Sequence, residues 1–304
     1  EFSESYSNCD SILGDLIIFS GVSESTNDIV TSNIVDLTSL NFLKSIDGNF
    51  KIIVDATEII GFNNLIQVRG DIEITNSNSV TLISGFKNLK FANDIIIALN
   101  SSLKKIEGFN KIEIINRGLE IGFGDTLEEI NGFENLKIIR NQLNISRNPL
   151  LSKIPSFNKL EQIFGDLNLT SNPNLSFVEG FEEPTHIGTD LNVDSIKTIR
   201  GFSKLKTIDR FLDIRGLTIE EIPEFPLLEN VGASFRVENT SIKSITGFNS
   251  LKTIGENYFL DDWFTISDNL LLNNVKEFGS FAKLEGDLRV QRNPHLSDCS
   301  WLCN

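Results

Sequence analysis

Methionine is absent from all 304 residues, and histidine, tyrosine and tryptophan occur only twice each. Cysteine occurs three times, as Cys9, Cys299 and Cys303. So few soft ligands make a zinc site improbable, and no metal or other cofactor is expected. Basic residues are outnumbered: 27 Lys and Arg stand against 42 Asp and Glu, for a formal net charge of −15. Such a surface repels phosphate backbones, so no nucleic-acid partner is expected. No run of 18 apolar residues occurs, so no transmembrane segment is read. The opening EFSESYSNCD lacks the basic and apolar regions of a signal peptide, and the chain reads as a processed fragment. HExxH, CxxC, GxSxG and GxxxxGK[ST] are all missing, so the chain is not read as an enzyme.

What is present is a repeat. Leu40, Phe62, Phe86, Phe109, Phe133, Phe157, Phe181, Phe202, Phe225, Phe248 and Phe278 follow one another at intervals of 22, 24, 23, 24, 24, 24, 21, 23, 23 and 30 residues. Self-similarity at such a period marks a solenoid, whose units bury their apolar faces only by stacking on neighbours. Each unit carries three short apolar pairs. Leu167 and Leu169 alternate with polar residues, as in a half-buried strand, while Leu151/Ile154 and Leu160/Ile163 are too short for helices. Asn-Pro, Gly-Phe and Gly-Asp steps supply the bends, as at Asn148-Pro149, Gly132-Phe133 and Gly165-Asp166. The expected fold is an all-β, leucine-rich-repeat solenoid: a right-handed parallel β-helix of about 10–11 coils of about 24 residues. The whole chain, 1–304, is read as one repeat domain, with an N-terminal cap over 1–13, coils over 14–295 and a C-terminal cap over 296–304 closed by Trp301.

The pattern G-D-L-x-I, then N-P-x-L-x-x-I-x-G-F-x-x-L-x-x-I, resembles the receptor L domain of insulin- and EGF-receptor ectodomains. The ending NPHLSDCSWLCN resembles the close of such arrays in secreted bacterial surface proteins. The resemblance spans about residues 10–303. It implies a secreted or cell-surface setting, but the chain lacks the receptors' cysteine-rich modules, so growth-factor binding is not carried over. Cys299 and Cys303 form a candidate terminal disulfide suited to an oxidising compartment, with two reduced thiols as the alternative.

Two features stand out as candidate binding elements. The outward column of the main strand reads Lys51, Glu73, Ile96, Glu120, Asn144, Asn168, Asn192, Asp213, Arg236, Thr265, Arg289, a ladder whose middle is rich in Asn. Ser146, Thr170, Asp194, Arg215 and Glu238 stand beside it. About six extra residues fall within Gly255–Trp263, bringing Tyr258, Asp261, Asp262 and Trp263 together, and loop insertions in solenoids often sit on a binding face. Bland alternatives are a solvated sheet and a local aromatic mini-core. Pro184 stands where a Leu is usual and is read as a local kink. The expected function is a non-catalytic adhesion or binding module recognising a protein or glycan on the main sheet. A structural spacer is the alternative, and a polysaccharide-active enzyme comes third. Nothing in the pattern specifies an oligomeric state.

Overall fold

The computed structural model describes residues 10–22, 29–30, 34–154, 157–178, 180–222, 224–255, 263–276, 278, 283–298 and 300–302. It is a parallel β-solenoid of about ten coils of roughly 24 residues. The only helices among the described residues are two 3-10 turns, Thr38–Leu40 and Ser300–Leu302. The chain divides into two compact units. The first holds Glu1–Arg140 with Asn144–Pro155, and the second holds Asn141–Leu143 with Ser156–Asn304.

In the first unit the long strand of each coil forms the main sheet: β1 (Leu16–Phe19), β2 (Phe50–Ile53), β3 (Ile72–Thr75), β4 (Ile95–Ala98), β5 (Leu119–Gly122) and β6 (Leu143–Ser146). β1 to β5 pair in parallel and in sequence order, like residue against like. Two-residue strands make the other faces. Glu58–Ile59, Leu82–Ile83, Lys105–Ile106 and Glu129–Ile130 form an unbroken third sheet. After β1, Gly21–Val22 pairs antiparallel with Ile29–Val30, the one antiparallel pairing among the described strands.

The second unit repeats the plan with β7 (Leu167–Thr170), β8 (Leu191–Asp194), β9 (Leu212–Arg215), β10 (Phe235–Glu238), β11 (Trp263–Ser267) and β12 (Asp287–Gln291). Its third sheet falls into two pairs, Phe177–Val178 with Thr198–Ile199 and Ser244–Ile245 with Asn274–Val275.

The phenylalanine column is the core. Phe62, Phe86, Phe109 and Phe133 are fully buried in the first unit, with successive ring centroids 5.5, 4.9 and 5.1 Å apart. Phe157, Phe181, Phe202, Phe225, Phe248 and Phe278 form the second stack. Full burial of one such side chain stabilises by about 1.5–3 kcal/mol before entropy. Leu40 keeps the turn of the column, since the Leu43 N–H donates to its carbonyl, yet it is only half-buried while Leu37 is buried nearby. Gly-Phe recurs because that corner is tight. Gly132 has φ 109°, and a Cβ there would lie 1.8 Å from the Gly108 carbonyl oxygen of the coil before. Phe133 itself has φ 64°, a left-handed conformation costly for a bulky residue and held here by stacking and burial.

The other two corners are held by side chains reaching one coil back or forward. At the Asn-Pro corner, buried Asn148 accepts from the Gly124 N–H and donates to the Ile121 and Ser146 carbonyls. Asn100, Asn269 and Asn293 make the same kind of bonds. At the Gly-Asp corner, carboxylates accept from the backbone of the next coil. Asp94 takes the Gly118 N–H, and Asp166 takes that of Asp190. Pro184 is buried in its Leu slot. Trp301 is buried against Phe264 and Phe278, at 6.0 and 5.4 Å.

Candidate functional site

The outward column of the main sheet has the register that the repeat predicts. In the first unit Ile17, Lys51, Glu73, Ile96 and Glu120 stand side by side on β1 to β5. In the second, Asn168, Asn192, Asp213, Arg236, Thr265 and Arg289 stand side by side on β7 to β12. Asn144 lies on β6, half-buried.

The two stretches differ chemically. In the first unit Lys51 and Glu73 pair at 2.9 Å, and the next column is small, with Ala98 and Gly122 beside Ile96. In the second unit the polar side chains interlock. Asn192 Nδ2 donates to Asn168 Oδ1 at 2.6 Å. Asp213, one strand on, is unexpectedly buried, with a side chain only 8% exposed. Its Oδ2 accepts from Arg215 on its own strand and lies 3.7 Å from Arg236 on β10, while its Oδ1 has no hydrogen-bond partner. Burial pushes the Asp213 carboxyl above its ordinary value, against the pull of the Arg215 and Arg236 guanidinium groups.

Aromatic rings border these residues. Phe211 stands just before β9, two residues ahead of Asp213, and Arg210 lies over its ring at 4.7 Å. Trp263 opens β11, and Arg289 of β12 lies 3.0 Å from its ring centroid. A guanidinium over an aromatic face is attracted by the ring quadrupole. The resulting strip combines carboxylate, guanidinium, amide and indole groups, which suits hydrogen-bonded recognition of a polar ligand.

Of the residues singled out from sequence, the structure thus places Asn168, Asn192 and Asp213 on adjacent strands and Trp263 on the same face two strands beyond Asp213. Tyr258, Asp261 and Asp262 lie outside the described residues, as do Cys299 and Cys303. Arg210 and Phe211 were missed. Their signal was the Arg-Phe pair standing where other coils carry Gly-Asp ahead of the strand. His186 faces Asp209 of the next coil at 2.8 Å on a different sheet. Among the described residues, no group of three or more His, Cys, Asp or Glu is placed to hold a metal ion. No described helix is long and apolar enough to cross a membrane.

Sequence reasoning also missed two cavities on the third face of the second unit, of about 730 and 410 Å³. They share Glu221, Ile222 and Glu224. Comparison with protein-family models, curated proteins and solved structures found no match for the chain.

Proposed function

We propose that the chain is a non-catalytic binding module of a secreted or cell-surface protein, built on a leucine-rich repeat of receptor L domain type. Its ligand is a protein or glycan held against the outward face of β7 to β12. The observation that carries this reading is the buried Asp213 carboxylate. It stands between Arg215 and Arg236, next to the Asn168–Asn192 pair and on the same face as Trp263. A merely solvated sheet has no need to bury a carboxylate with one oxygen unpaired, which costs free energy unless something compensates. Sugar hydroxyls and peptide amides are the groups that such an arrangement of acceptors and donors fits.

The test is a screen of the intact chain against a glycan array and a panel of surface proteins, followed by the Asn192→Ala and Asp213→Asn variants. A reproducible ligand whose affinity falls about tenfold or more in both variants supports the module. A ligand insensitive to both moves the site elsewhere.

A second reading has its own support. Many outward side chains already satisfy one another, as Lys51 with Glu73 and Asn192 with Asn168 do. A spacer that displays a neighbouring domain would look the same. The absence of any ligand across a wide panel would favour it.

A further inference from the structure

We infer that the outward face of the first unit carries a trench that takes a short, linear, uncharged glycan running across the strands. Its floor is the last outward position of the main strand. Thr75, Ala98, Gly122 and Ser146 hold that position on β3 to β6, and all four are small and buried. Ala98 stands beside Thr75 on one side and beside Gly122 on the other. The walls are taller. On one side stand Glu73, Ile96, Glu120 and Asn144, two residues earlier on the same strands and half-buried. On the other stand Asn76, Leu99, Phe123 and Arg147, each the residue that follows its strand and each exposed. Strands about 4.8 Å apart make the trench about 14 Å long, and walls three residues apart set their backbones about 10 Å from each other.

Small residues make a gap, and a hydroxyl marks it as a site. Ser146 is only 8% exposed, and its Oγ has no hydrogen-bond partner among the described residues. A Cβ on Gly122 would stand 3.6 Å from that Oγ, so the hydroxyl projects over the floor of the trench. Burying a hydroxyl with nothing to bond costs free energy, and a ligand hydroxyl in the trench removes that cost. The apolar wall points the same way. Leu99 and Phe123 have φ 58° and 54°, the left-handed conformation that Asn76 adopts readily and bulky residues do not. Phe133 is held in that conformation by full burial, whereas Leu99 and Phe123 remain 49% and 39% exposed. The fold gains little from apolar side chains there. The second unit has no such trench, because Asp194, Arg215 and Glu238 occupy its floor position and Ser171, Ser195 and Gly216 its wall.

The walls select the guest. Glu120 and Asn144 offer a carboxylate and an amide on one side, while Leu99 and Phe123 offer apolar surface on the other. The Arg147 guanidinium, 4.6 Å from the Phe123 ring centroid, ends that second wall with hydrogen-bond donors. A pyranose has both complements, an apolar C–H face and a rim of hydroxyls. An extended peptide fits worse. The strands beneath are already paired with one another, so the trench offers no backbone partners, and a peptide would seal its amides against Leu99 and Phe123. Glu73 and Glu120, in a chain of net charge −15, repel an acidic sugar. A straight row of stacked strands suits a β-linked ribbon rather than a coiled α-linked chain. The trench lies on β3 to β6, apart from Asp213 on β9, and stands or falls independently of the reading above.

The experiment uses the intact chain with three probes: cellotriose, maltotriose and a capped tetrapeptide of alternating Lys and Val. Titration calorimetry reads affinity, and urea unfolding reads stability. Cellotriose is expected to bind, and Phe123→Asn to weaken it about tenfold while leaving unfolding unchanged or improved, because Asn suits the left-handed backbone. Ser146→Ala should weaken it about threefold at unchanged stability, since the hydroxyl bonds nothing in the fold. Ala98→Leu fills the floor and should abolish binding. No binding of cellotriose, or full affinity in all three variants, would overturn the trench. Equal binding of maltotriose would overturn its straight shape, and binding of the tetrapeptide in place of the sugar would overturn the glycan. Affinity lost in Asp213→Asn but kept in Phe123→Asn would move the sugar to the second unit, overturning the trench while supporting the earlier reading.

Discussion

The two units follow one repeat and differ in how faithfully they do so. In the first, the third sheet runs through four strands unbroken, and the rings from Phe62 to Phe133 stack within 19° of parallel. In the second, that sheet is split into pairs, and ring tilts reach 30°. Their outward faces diverge in the same sense. The first presents Ile96, Ala98 and Gly122 at its middle, and the second presents Asn192, Asp213 and Arg236. Where every coil carries the same residue in a column, each polar group is claimed by the coil beside it. Where a coil departs from the pattern, a polar atom such as Asp213 Oδ1 is left without a partner in the fold. Irregularity in a solenoid is thus where function is to be sought.

The sharpest way to break this comparison is in the core. Phe109 lies between Phe86 and Phe133 at 4.9 and 5.1 Å with tilts of 9° and 6°. Phe225 lies between Phe202 and Phe248 at 5.4 and 5.2 Å with tilts of 22° and 25°. Truncating either to alanine leaves a large cavity and should cost about 3–5 kcal/mol in urea unfolding, with Phe109→Ala the more damaging. Equal losses would mean that ring geometry adds nothing to burial.

Next in size is the corner asparagine. Asn148 is fully buried, and its amide holds a backbone N–H and two carbonyls. Asn148→Ala orphans those groups and should cost about 2–3 kcal/mol in the same experiment. Asn148→Asp keeps the acceptor and loses the donors, so it separates the two contributions.

These residues also show how far the sequence could be read. The phenylalanine spacing announced the coils, and the register of the outward column followed from it residue by residue, because parallel stacking puts like against like. Asn148 was legible as a bend but not as a buried ladder, since a turn-forming Asn and a hydrogen-bonding Asn leave the same mark in a sequence. Asp213 was legible as outward and not as buried. Its burial comes from Arg215 and Arg236, two long side chains whose fold-over no periodicity encodes.

Asp213 gives a pH test of the second unit's face. Its folded carboxyl is raised above the ordinary Asp value. A raised carboxylate penalises the folded state once both states are ionised, and the penalty is absent when both are protonated. Stability of the native chain relative to Asp213→Asn should therefore increase as pH falls from above the folded value towards the ordinary Asp range. Urea unfolding of both proteins across that range checks it. A difference that does not change with pH would mean that the two guanidinium groups fully compensate burial. Asp94 and Asp190 are also raised, chiefly by burial, and remain in both proteins, so they cancel in the difference.

The smallest expected effect is the most informative about function. Asn192 is half-buried on the open face, and one hydrogen bond to Asn168 is its main tie. Replacing it with alanine leaves no group sealed from water, so the loss in stability should stay within about 0.5 kcal/mol, as at ordinary surface positions. Asn148 and Asn192 are the same residue type, in the same repeat, with opposite assignments: one holds coils together and the other is held out to solvent. If Asn192→Ala proves as damaging as Asn148→Ala, the face is part of the scaffold and the binding reading loses its ladder. If it leaves unfolding unchanged, the side chain is free to be selected for what it touches outside the molecule, and affinity for a ligand becomes the property in which its loss should appear.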